Sequence, residues 1–495
     1  MQLPDFLVIA LYAAGMLAVG AFYARRTETA DEYLLGGRTM NPIMVGLSLF
    51  ATLTSTLSYL AYPGEMVKNG PMMFAQLASY PFIMIVIGWW MIPAIMRQRN
   101  VTSGYELLES RLGLTGRLLG SGMFVALRTV WMASILYATN DKVIVPLFHL
   151  ERSWTPWLCV AMGSLTVIYT SIGGMRAVVF TDAAQSLIMC AGAVISIVVV
   201  SVALGGIDAW FPHHWEAHWQ KPVFWFRTDV RVTFMGAFLN MFVWMTCTAG
   251  SDQMAIQRYL STRNVQAARR SFFIHMGAEV VMTLLLALVG LAVLGYFTAR
   301  SSEFGEGVSL IDSADELFPR FVVVGLPAGL TGLVIAAILS AAMSSLSSGM
   351  NSSSAVVVTD FIGRFRRSAG DGHAQAGPAR IVAAAMGALA IALSTVVGSL
   401  ASNLLELCIK VVNLLTAPLF VLFFLSLFVP WSTPLGGVVA TVASVSVAAG
   451  IAFFKIFGLE FLWTAPCALV AGIAAGMLAS ALPLGRKRPA SESGV

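Results

Sequence analysis

The sequence predicts an all-α, polytopic membrane protein with about thirteen spanning helices. Ten of these are expected in two inverted five-helix repeats, with one helix before them and two after. Three observations predict this fold class. They are an apolar composition with few charges, a succession of apolar segments of spanning length, and two interrupted helices at matching places in the two halves.

Composition places most of the chain in lipid. Of its 495 residues, 58% are hydrophobic and 11% are charged, and the mean hydropathy is +0.80. Soluble domains carry roughly 25% charged residues. A chain so poor in charge cannot cover a water-soluble surface, so the sequence indicates a membrane protein.

A spanning helix needs about 20 apolar residues, and such segments recur along the whole chain. The first one starts with the acidic Asp5 and ends before Arg25 and Arg26, so it is interpreted as a retained helix rather than a signal peptide. The predicted spans are 3–23, 42–65, 72–97, 117–147, 155–173, 178–204, 231–250, 272–298, 327–361, 378–399, 402–429, 434–457 and 461–483.

Arginine and lysine concentrate in alternate connections between these spans and in the C-terminal tail. Basic loops stay in the cytoplasm, so the N-terminus is expected outside and the C-terminus inside. The clearest basic groups are Arg25/Arg26/Arg38, Arg97/Arg99/Arg111/Arg117, Arg258/Arg263/Arg269/Arg270, Arg364/Arg366/Arg367/Arg380 and Arg486/Lys487/Arg488.

The second and seventh spans look broken. Hydroxyls run through the middle of SLFATLTSTLSYLAYPGEM, and GAFLNMFVWMTCTAGSDQ is polar through its second half. Broken helices at matching positions predict an inverted repeat with a binding site at the midplane, because unwound backbone cannot face lipid.

The predicted organisation follows from these breaks. It comprises an N-terminal helix and cytoplasmic loop (1–41), a first repeat (42–204), a Trp-rich extracellular interfacial segment (205–230), a second repeat (231–429), and two C-terminal helices with a cytoplasmic tail (430–495).

Residues 332–360 begin as an apolar helix and turn into small residues and hydroxyls, with eight serines between positions 340 and 354. Ser344, Ser347 and Ser348 share one helical face. Neutral oxygens on one face are suitable ligands for a small hard cation. The alternative is that each hydroxyl bonds its own helix at i−4 and the small residues permit tight packing.

Among the charges within predicted spans, four have two interpretations each. Arg128 either binds a substrate carboxylate or pairs permanently with a protein acid. Asp182 is either an acid favoured at a helix N-terminus or the charged ligand of a cation site. Glu406 and Lys410, four residues apart, either pair with each other or contact substrate.

The sequence also excludes several functions. It contains no kinase signature, no phosphate loop and no HExxH, so no enzyme is expected. The cysteines Cys159, Cys190, Cys247, Cys408 and Cys467 all lie in apolar runs, which favours neither disulfides nor a metal cluster. No cofactor and no nucleic-acid partner are expected.

Four motifs, in this order, resemble the sodium/solute symporters, the family of the sodium–glucose, sodium–proline and sodium–sialic acid transporters. They are TADEYLLGGR, GGMRAVVFTDAAQ, SDQMAIQRYLSTRN and AAMSSLSSGMNSSSAVVVTD, and the resemblance covers nearly the whole length. It implies a LeuT-like core of two inverted repeats and coupling to sodium.

The resemblance also implies two sodium sites. The common site would use the backbone carbonyls of Ala51, Thr54 and Ala341 and the hydroxyls of Ser344 and Ser345. The sialic-acid-type members add a second site, matched here by Asp182, Ser344, Ser347 and Ser348.

Substrate positions implied by the resemblance are Ser55, Ser58, Gln76, Arg128 and Asn240, with Arg128 in the place of a carboxylate-binding arginine. Two residues depart from the relatives. Leu53 stands where sialic acid transporters have a hydroxyl residue, and Val243 where a sugar transporter has a gating tyrosine. We therefore expect a carboxylate or sugar acid other than sialic acid itself.

The expected function is sodium-coupled import of a small organic solute by alternating access, with two sodium ions, through a monomer in the plasma (inner) membrane. Two alternatives stay open at this point. One is a proton-coupled carrier in which Asp182 titrates, and the other is a membrane sensor that detects a solute with the same fold.

Overall fold

The computed structural model describes residues 1–98, 101–227, 230–305, 308–365, 376–399, 404–459 and 461–482, and this part of the chain consists of helices without any strand. The α-helices are α1 (Leu3–Ala24), α2 (Ala30–Leu35), α3 (Pro42–Leu53), α4 (Thr56–Asn69), α5 (Tyr80–Ile85), α6 (Ile92–Met96), α7 (Glu106–Thr139), α8 (Val145–Leu147), α9 (Thr155–Leu204), α10 (Phe234–Ser251), α11 (Gln253–Leu260), α12 (Val265–Ala299), α13 (Ala314–Val324), α14 (Leu330–Val356), α15 (Gly363–Phe365), α16 (Gly377–Ser399), α17 (Leu404–Phe428), α18 (Pro434–Phe454) and α19 (Thr464–Ala481).

Short helical segments of other pitch join some of these helices. The 3₁₀ segments are Gly36–Arg38, Pro71–Ser79, Arg152–Trp154, Ile207–Ala209, Ser301–Glu303, Ile456–Gly458 and Phe461–Trp463, and the π-helical ones are Val86–Met91, Asn140–Ile144 and Val357–Ile362. A π-helical stretch inside a longer helix often marks a functional position.

Among the described residues, nine helical stretches are long and apolar enough to cross a membrane, or ten if α3 and α4 count as one span. The prediction from sequence was about thirteen. One reason for the difference is that the predicted spans 155–173 and 178–204 are joined in α9 without an intervening loop. Another is that α10, with Asn240, Thr246 and Thr248, is too polar to be counted.

Both predicted helix breaks are present in the structure. Between α3 and α4 the chain bends by 68°, and the residue at the break, Thr54, has extended backbone (φ −85°, ψ 109°). Between α10 and α11 the single residue Asp252 is also extended (φ −77°, ψ 129°). Each break frees carbonyl groups in the last turn of the preceding helix, which then need other partners.

The serine-rich helix α14 lies at the centre of the fold. It packs against α9, α7, α1, α16 and α3, and all eight of its serines between 340 and 354 are buried. Small side chains allow this close approach from several directions. The helix therefore faces protein on nearly all sides, and its hydroxyls face other helices rather than lipid.

The kink inside α9 lies at Gly174, whose backbone (φ 65°, ψ −163°) is in a region reserved for glycine. A Cβ at this position would stand 2.9 Å from the carbonyl oxygen of Tyr33 and 2.7 Å from its ring. Both the torsion angles and the space exclude any side chain. This glycine separates the two predicted spans that α9 contains.

We expect Gly174→Ala to lower the free energy of unfolding by about 1–3 kcal/mol, the usual cost of a strained backbone residue. The measurement is unfolding of the purified protein in detergent. Gly122→Ala in α7 is the matched control, because a Cβ there meets nothing within 4 Å. Equal stabilities of the two variants would contradict the assignment of strain to Gly174.

Candidate functional site

The candidate site begins at the break between α3 and α4. Ser55 caps α4 by accepting a hydrogen bond from the Ser58 amide at 3.4 Å, which fixes the start of the second half-helix. The carbonyls of Ala51 and Thr52 lie in the last turn of α3, where the helix itself supplies no amide donor. They are the groups that a ligand or a neighbouring helix has to satisfy.

Hydroxyls of α14 meet these carbonyls. Ser344 Oγ donates to the Ala51 carbonyl at 2.8 Å and Ser345 Oγ donates to the Thr52 carbonyl at 3.1 Å. Ser344 Oγ also lies 3.3 Å from the Ala341 carbonyl. Thus Ala51, Ala341, Ser344 and Ser345, four of the five residues predicted for the common sodium site, lie together.

Oxygen atoms about 3 Å apart are close to the spacing found around a hard cation with bonds of about 2.3–2.6 Å. A serine hydroxyl can rotate and present its lone pairs in place of its hydrogen. The cluster can therefore exchange hydroxyl–carbonyl hydrogen bonds for bonds to an ion. The fifth predicted residue, Thr54, lies at the break itself, and its Oγ1 donates to Glu279 Oε2 at 2.9 Å.

Asp182 in α9 is completely buried beside this cluster. Among the described residues its Oδ1 has one donor within reach, Ser347 Oγ at 3.3 Å, and the same hydroxyl lies 3.0 Å from the Ser344 carbonyl, the alternative acceptor of its one hydrogen. Its Oδ2 accepts from Ser348 Oγ at 3.1 Å. The four residues predicted for the second sodium site are therefore neighbours, and Ser344 borders both clusters.

The structure adds a cation that the sequence analysis did not assign to this site. Arg258 in α11 is completely buried, and its Nη2 lies 2.8 Å from Asp182 Oδ2. Its Nε donates to Ser48 Oγ at 2.9 Å, and Ser48 in turn donates to Asp182 Oδ2 at 2.7 Å. The sequence analysis counted Arg258 among the cytoplasmic loop charges. Its place in the polar motif SDQMAIQRYLSTRN, directly after a broken helix, was the available signal.

A cavity of about 300 Å³ lies on the other side of the same break. Three of the predicted substrate residues, Ser55, Ser58 and Arg128, line it. The full lining is Thr52, Leu53, Ser55, Leu57, Ser58, Ala61, Tyr62, Leu127, Arg128, Trp131, Trp244, Thr248 and Thr416. Its walls are thus mostly apolar, with hydroxyls and one guanidinium, as in small-molecule sites.

Two predicted substrate residues are not in this lining. Asn240 faces the C-terminal part of the chain, where its Nδ2 donates to the Leu462 carbonyl at 2.8 Å. The sequence analysis assigned Asn240 to the substrate site from its position in the family pattern, which carries no information about that contact. Gln76 lies one side chain away from the cavity, with its Nε2 3.4 Å from the hydroxyl of Tyr62.

Arg128 is buried and forms an ion pair with Asp252, the residue at the break between α10 and α11. Asp252 Oδ1 also caps α11 by accepting from the Met254 amide at 2.8 Å. Of the two predicted interpretations, this structure shows Arg128 paired with a protein acid. Arg128 Nε nevertheless has no hydrogen-bond partner within the described ranges. This N–H group can therefore donate a hydrogen bond to a ligand in the cavity.

The sequence analysis missed a buried carboxyl group beside the break between α3 and α4, that of Glu279 in α12. It accepts a hydrogen bond from Thr54 Oγ1 and forms no ion pair within the part of the chain that the structure describes. Its position in the apolar run GAEVVMTLL was the only signal. The side chains of Glu406 and Lys410, by contrast, lie outside the described residues.

A polytopic helical protein with an oxygen cluster and a cavity on the two sides of one helix break has the architecture of an ion-coupled membrane transporter. Residues 33–443 match the sodium:solute symporter family, and the chain belongs to that family. Its members are transporters and not enzymes, and this chain is a multi-pass, sodium-coupled solute symporter.

Proteins similar to this chain transport different solutes. It is 27% identical to the sodium/sialic acid symporter SiaT of Proteus mirabilis over 464 residues, which cover 90% of each protein. It is 28% identical to the sodium-coupled monocarboxylate transporter 1 of Homo sapiens over 455 residues, covering 90% of this chain and 72% of the human protein.

A solved structure of a Na⁺-coupled sialic acid symporter, in a substrate-bound outward-open state, has a TM-score of 0.85 to this chain. The match covers 99% of this chain and 100% of that chain, at 24% sequence identity. At that identity the likeness shows the fold alone.

Asp182→Asn is expected to lower the free energy of unfolding by about 3–5 kcal/mol, because it leaves the Arg258 guanidinium buried without a counter-charge. Unfolding in detergent measures the change. Asp31→Asn is the control, since Asp31 pairs with Arg38 at the surface with 48% of its side chain exposed, and such pairs contribute about 1 kcal/mol or less. A loss no larger in Asp182→Asn than in Asp31→Asn would contradict the buried pair.

Proposed function

We propose that this protein imports a small organic carboxylate or sugar acid by alternating access driven by the sodium gradient. One observation supports this most directly. The break between α3 and α4 borders an oxygen cluster on the side of α14 and a cavity with a guanidinium on the side of α7. An ion and an anionic solute would thus bind to opposite sides of the same few residues.

The proposed common sodium site consists of the carbonyls of Ala51, Thr54 and Ala341 with the hydroxyls of Ser344 and Ser345. Sodium bound there would hold the broken span against α14. Thr52 takes part in both regions, since its carbonyl accepts from Ser345 and its residue lines the cavity. Ion binding that fixes this segment would favour the conformation that binds solute, and such a difference in affinity is what coupling requires.

The proposed solute site is the cavity with Ser55, Ser58 and Arg128. A guanidinium binds a carboxylate through two parallel hydrogen bonds, and hydroxyls suit the polar groups of a sugar acid. The relatives named for sialic acid and for monocarboxylates transport acids, which supports this class. Gln76 lies outside this site, behind Tyr62. Asn240, which bonds the Leu462 carbonyl, also lies outside it.

We further propose that a second sodium ion binds. Asp182, Ser344, Ser347 and Ser348 would bind it, with Asp182 Oδ1 as the charged ligand. Two sodium ions carried with one monoanion would move one net charge inward. Each charge that crosses contributes about 2.3 kcal/mol per 100 mV of membrane potential, so transport would be electrogenic.

We also propose an architecture of inverted repeats and an orientation in the membrane. Matching breaks at Thr54 and Asp252 support two inverted repeats over 42–204 and 231–429, within thirteen spans in all. The alternate basic connections support an external N-terminus and a cytoplasmic C-terminus. We expect the transporter to act as a monomer in the plasma (inner) membrane.

Replacement of sodium by choline at constant pH should abolish solute uptake into proteoliposomes. In sodium, Ser345→Ala should raise the sodium concentration for half-maximal uptake by about 10-fold or more. Loss of one hydrogen-bonding partner of a charged group costs about 1.5–3 kcal/mol. Ser353→Ala is the control, because this buried hydroxyl of α14 has no partner among the described residues. Uptake that persists in choline and follows an imposed pH gradient would instead favour the proton-coupled carrier.

Uptake of gluconate, N-acetylneuraminate, lactate and galactose should identify the solute class, with a carboxylate preferred over the neutral sugar. Arg128→Lys keeps the charge but loses the fork of donors, so it should weaken carboxylate uptake by about 10-fold. Arg320→Gln, in the exposed part of α13, should leave uptake unchanged. Preference for galactose, or equal carboxylate uptake in Arg128→Lys, would contradict the proposal.

A further inference from the structure

The short helix α11 connects the two proposed sites through charged residues. Asp252, at its N-terminus, pairs with Arg128 at the cavity, and Arg258, near its C-terminal end, pairs with Asp182 at the second oxygen cluster. All eight residues of α11 are buried, as is Asp252. One rigid element therefore supplies an anion to the solute site and a cation to the ion site.

The cation at Asp182 has a direct consequence for sodium. Asp182 and Arg258 together are neutral, so a sodium ion added beside them would give this buried cluster a net positive charge. A like charge at short range in a medium of low polarity is strongly unfavourable. Sodium thus binds Asp182 well only when the guanidinium withdraws.

The hydrogen bonds of the cluster are consistent with such an exchange. Arg258 donates to Asp182 Oδ2, where Ser48 and Ser348 also donate, whereas Ser347 is the sole donor to Oδ1 within the described ranges. The guanidinium also donates from Nη1 to the Met254 carbonyl of its own helix at 2.9 Å. It therefore keeps a partner on α11 when it leaves the carboxylate.

We propose that Arg258 is a tethered cation that competes with the second sodium ion for Asp182, and that α11 links this competition to the solute site through Asp252. This inference rests on the proposed function. A solute carboxylate that takes Arg128 from Asp252 releases one end of α11, and sodium that takes Asp182 from Arg258 releases the other. Each ligand thereby assists the other, as reciprocal coupling requires.

Movement of α11 would reach the loops around it. Gln253 Oε1 accepts from the Gly104 amide at 2.8 Å and its Nε2 donates to the Thr102 carbonyl at 2.9 Å. Gln257 Oε1 accepts from Ser352 Oγ at 2.7 Å. The helix therefore contacts both the connection before α7 and the serine helix, and its release would loosen both contacts.

The test is a sodium titration of thermal stability with the purified full chain in detergent, with choline added to keep ionic strength constant. A ligand that binds only the folded state stabilises it by RT ln(1 + [L]/Kd). A fit of stability against sodium concentration therefore gives the apparent Kd for sodium, called the midpoint below. All variants are also made in the Ser345→Ala background, where the remaining sodium response reports the Asp182 site.

Arg258→Gln should lower the midpoint, the apparent Kd for sodium, by about 5-fold or more, the lower end of usual coupling factors. Arg258→Lys, which keeps a charge with fewer donors, should give a smaller decrease. Asp252→Asn imitates displacement by a solute and should shift the midpoint in the same direction. Arg117→Gln, which breaks the pair of Arg117 with the buried Asp360 at 2.6 Å elsewhere, should leave the midpoint unchanged.

An unchanged or higher midpoint in the Arg258 variants would overturn the competition, and an unchanged midpoint in Asp252→Asn would overturn the link through α11. If Arg258→Gln does not fold, Arg258→Lys and Asp252→Asn decide the question. A wild-type protein without any sodium response would instead refute the proposed function. The two failures are therefore distinguishable.

Discussion

The whole site depends on the need of an interrupted membrane helix to find partners for its backbone. Within the hydrocarbon region no water is available, and each unsatisfied carbonyl costs several kcal/mol. The carbonyls of Ala51 and Thr52 are satisfied by hydroxyls of Ser344 and Ser345 across the interface with α14. This requirement explains why α14 combines hydroxyls with small residues and lies buried at the centre of the bundle.

The buried charged side chains also need partners within the protein. A charge removed from water needs a partner with good geometry, and here each partner comes from a different helix. Asp182 of α9 meets Arg258 of α11, and Arg128 of α7 meets Asp252 at the start of α11. Such pairs fix the relative positions of helices only while they last. Ligands that substitute for one member of a pair can therefore change how the helices are held.

The serine helix, the two helix breaks and the residues around Asp182 could be predicted from the sequence because each has a local signal. Hydroxyls at i, i+3 and i+4 share a face whatever their neighbours, and polar residues interrupt an apolar span visibly. Asn240, predicted as a substrate residue, bonds the Leu462 carbonyl, and the sequence could not indicate this contact because the partner lies more than two hundred positions away. Glu279 and Arg258 were missed because a single charge in a motif does not reveal what it contacts. Whether one or two sodium ions bind stays a prediction.

By itself, the sequence determined the helical membrane class, the family and the candidate cation ligands, because hydropathy, side-chain oxygen content and motif order are properties of the chain. Only the tertiary structure decided which charges meet. The pairing of Arg258 with Asp182 joins positions 76 residues apart, and that of Arg128 with Asp252 joins positions 124 apart. Periodicity within a helix describes faces and not the neighbours packed against them, so these contacts depend on how the helices assemble.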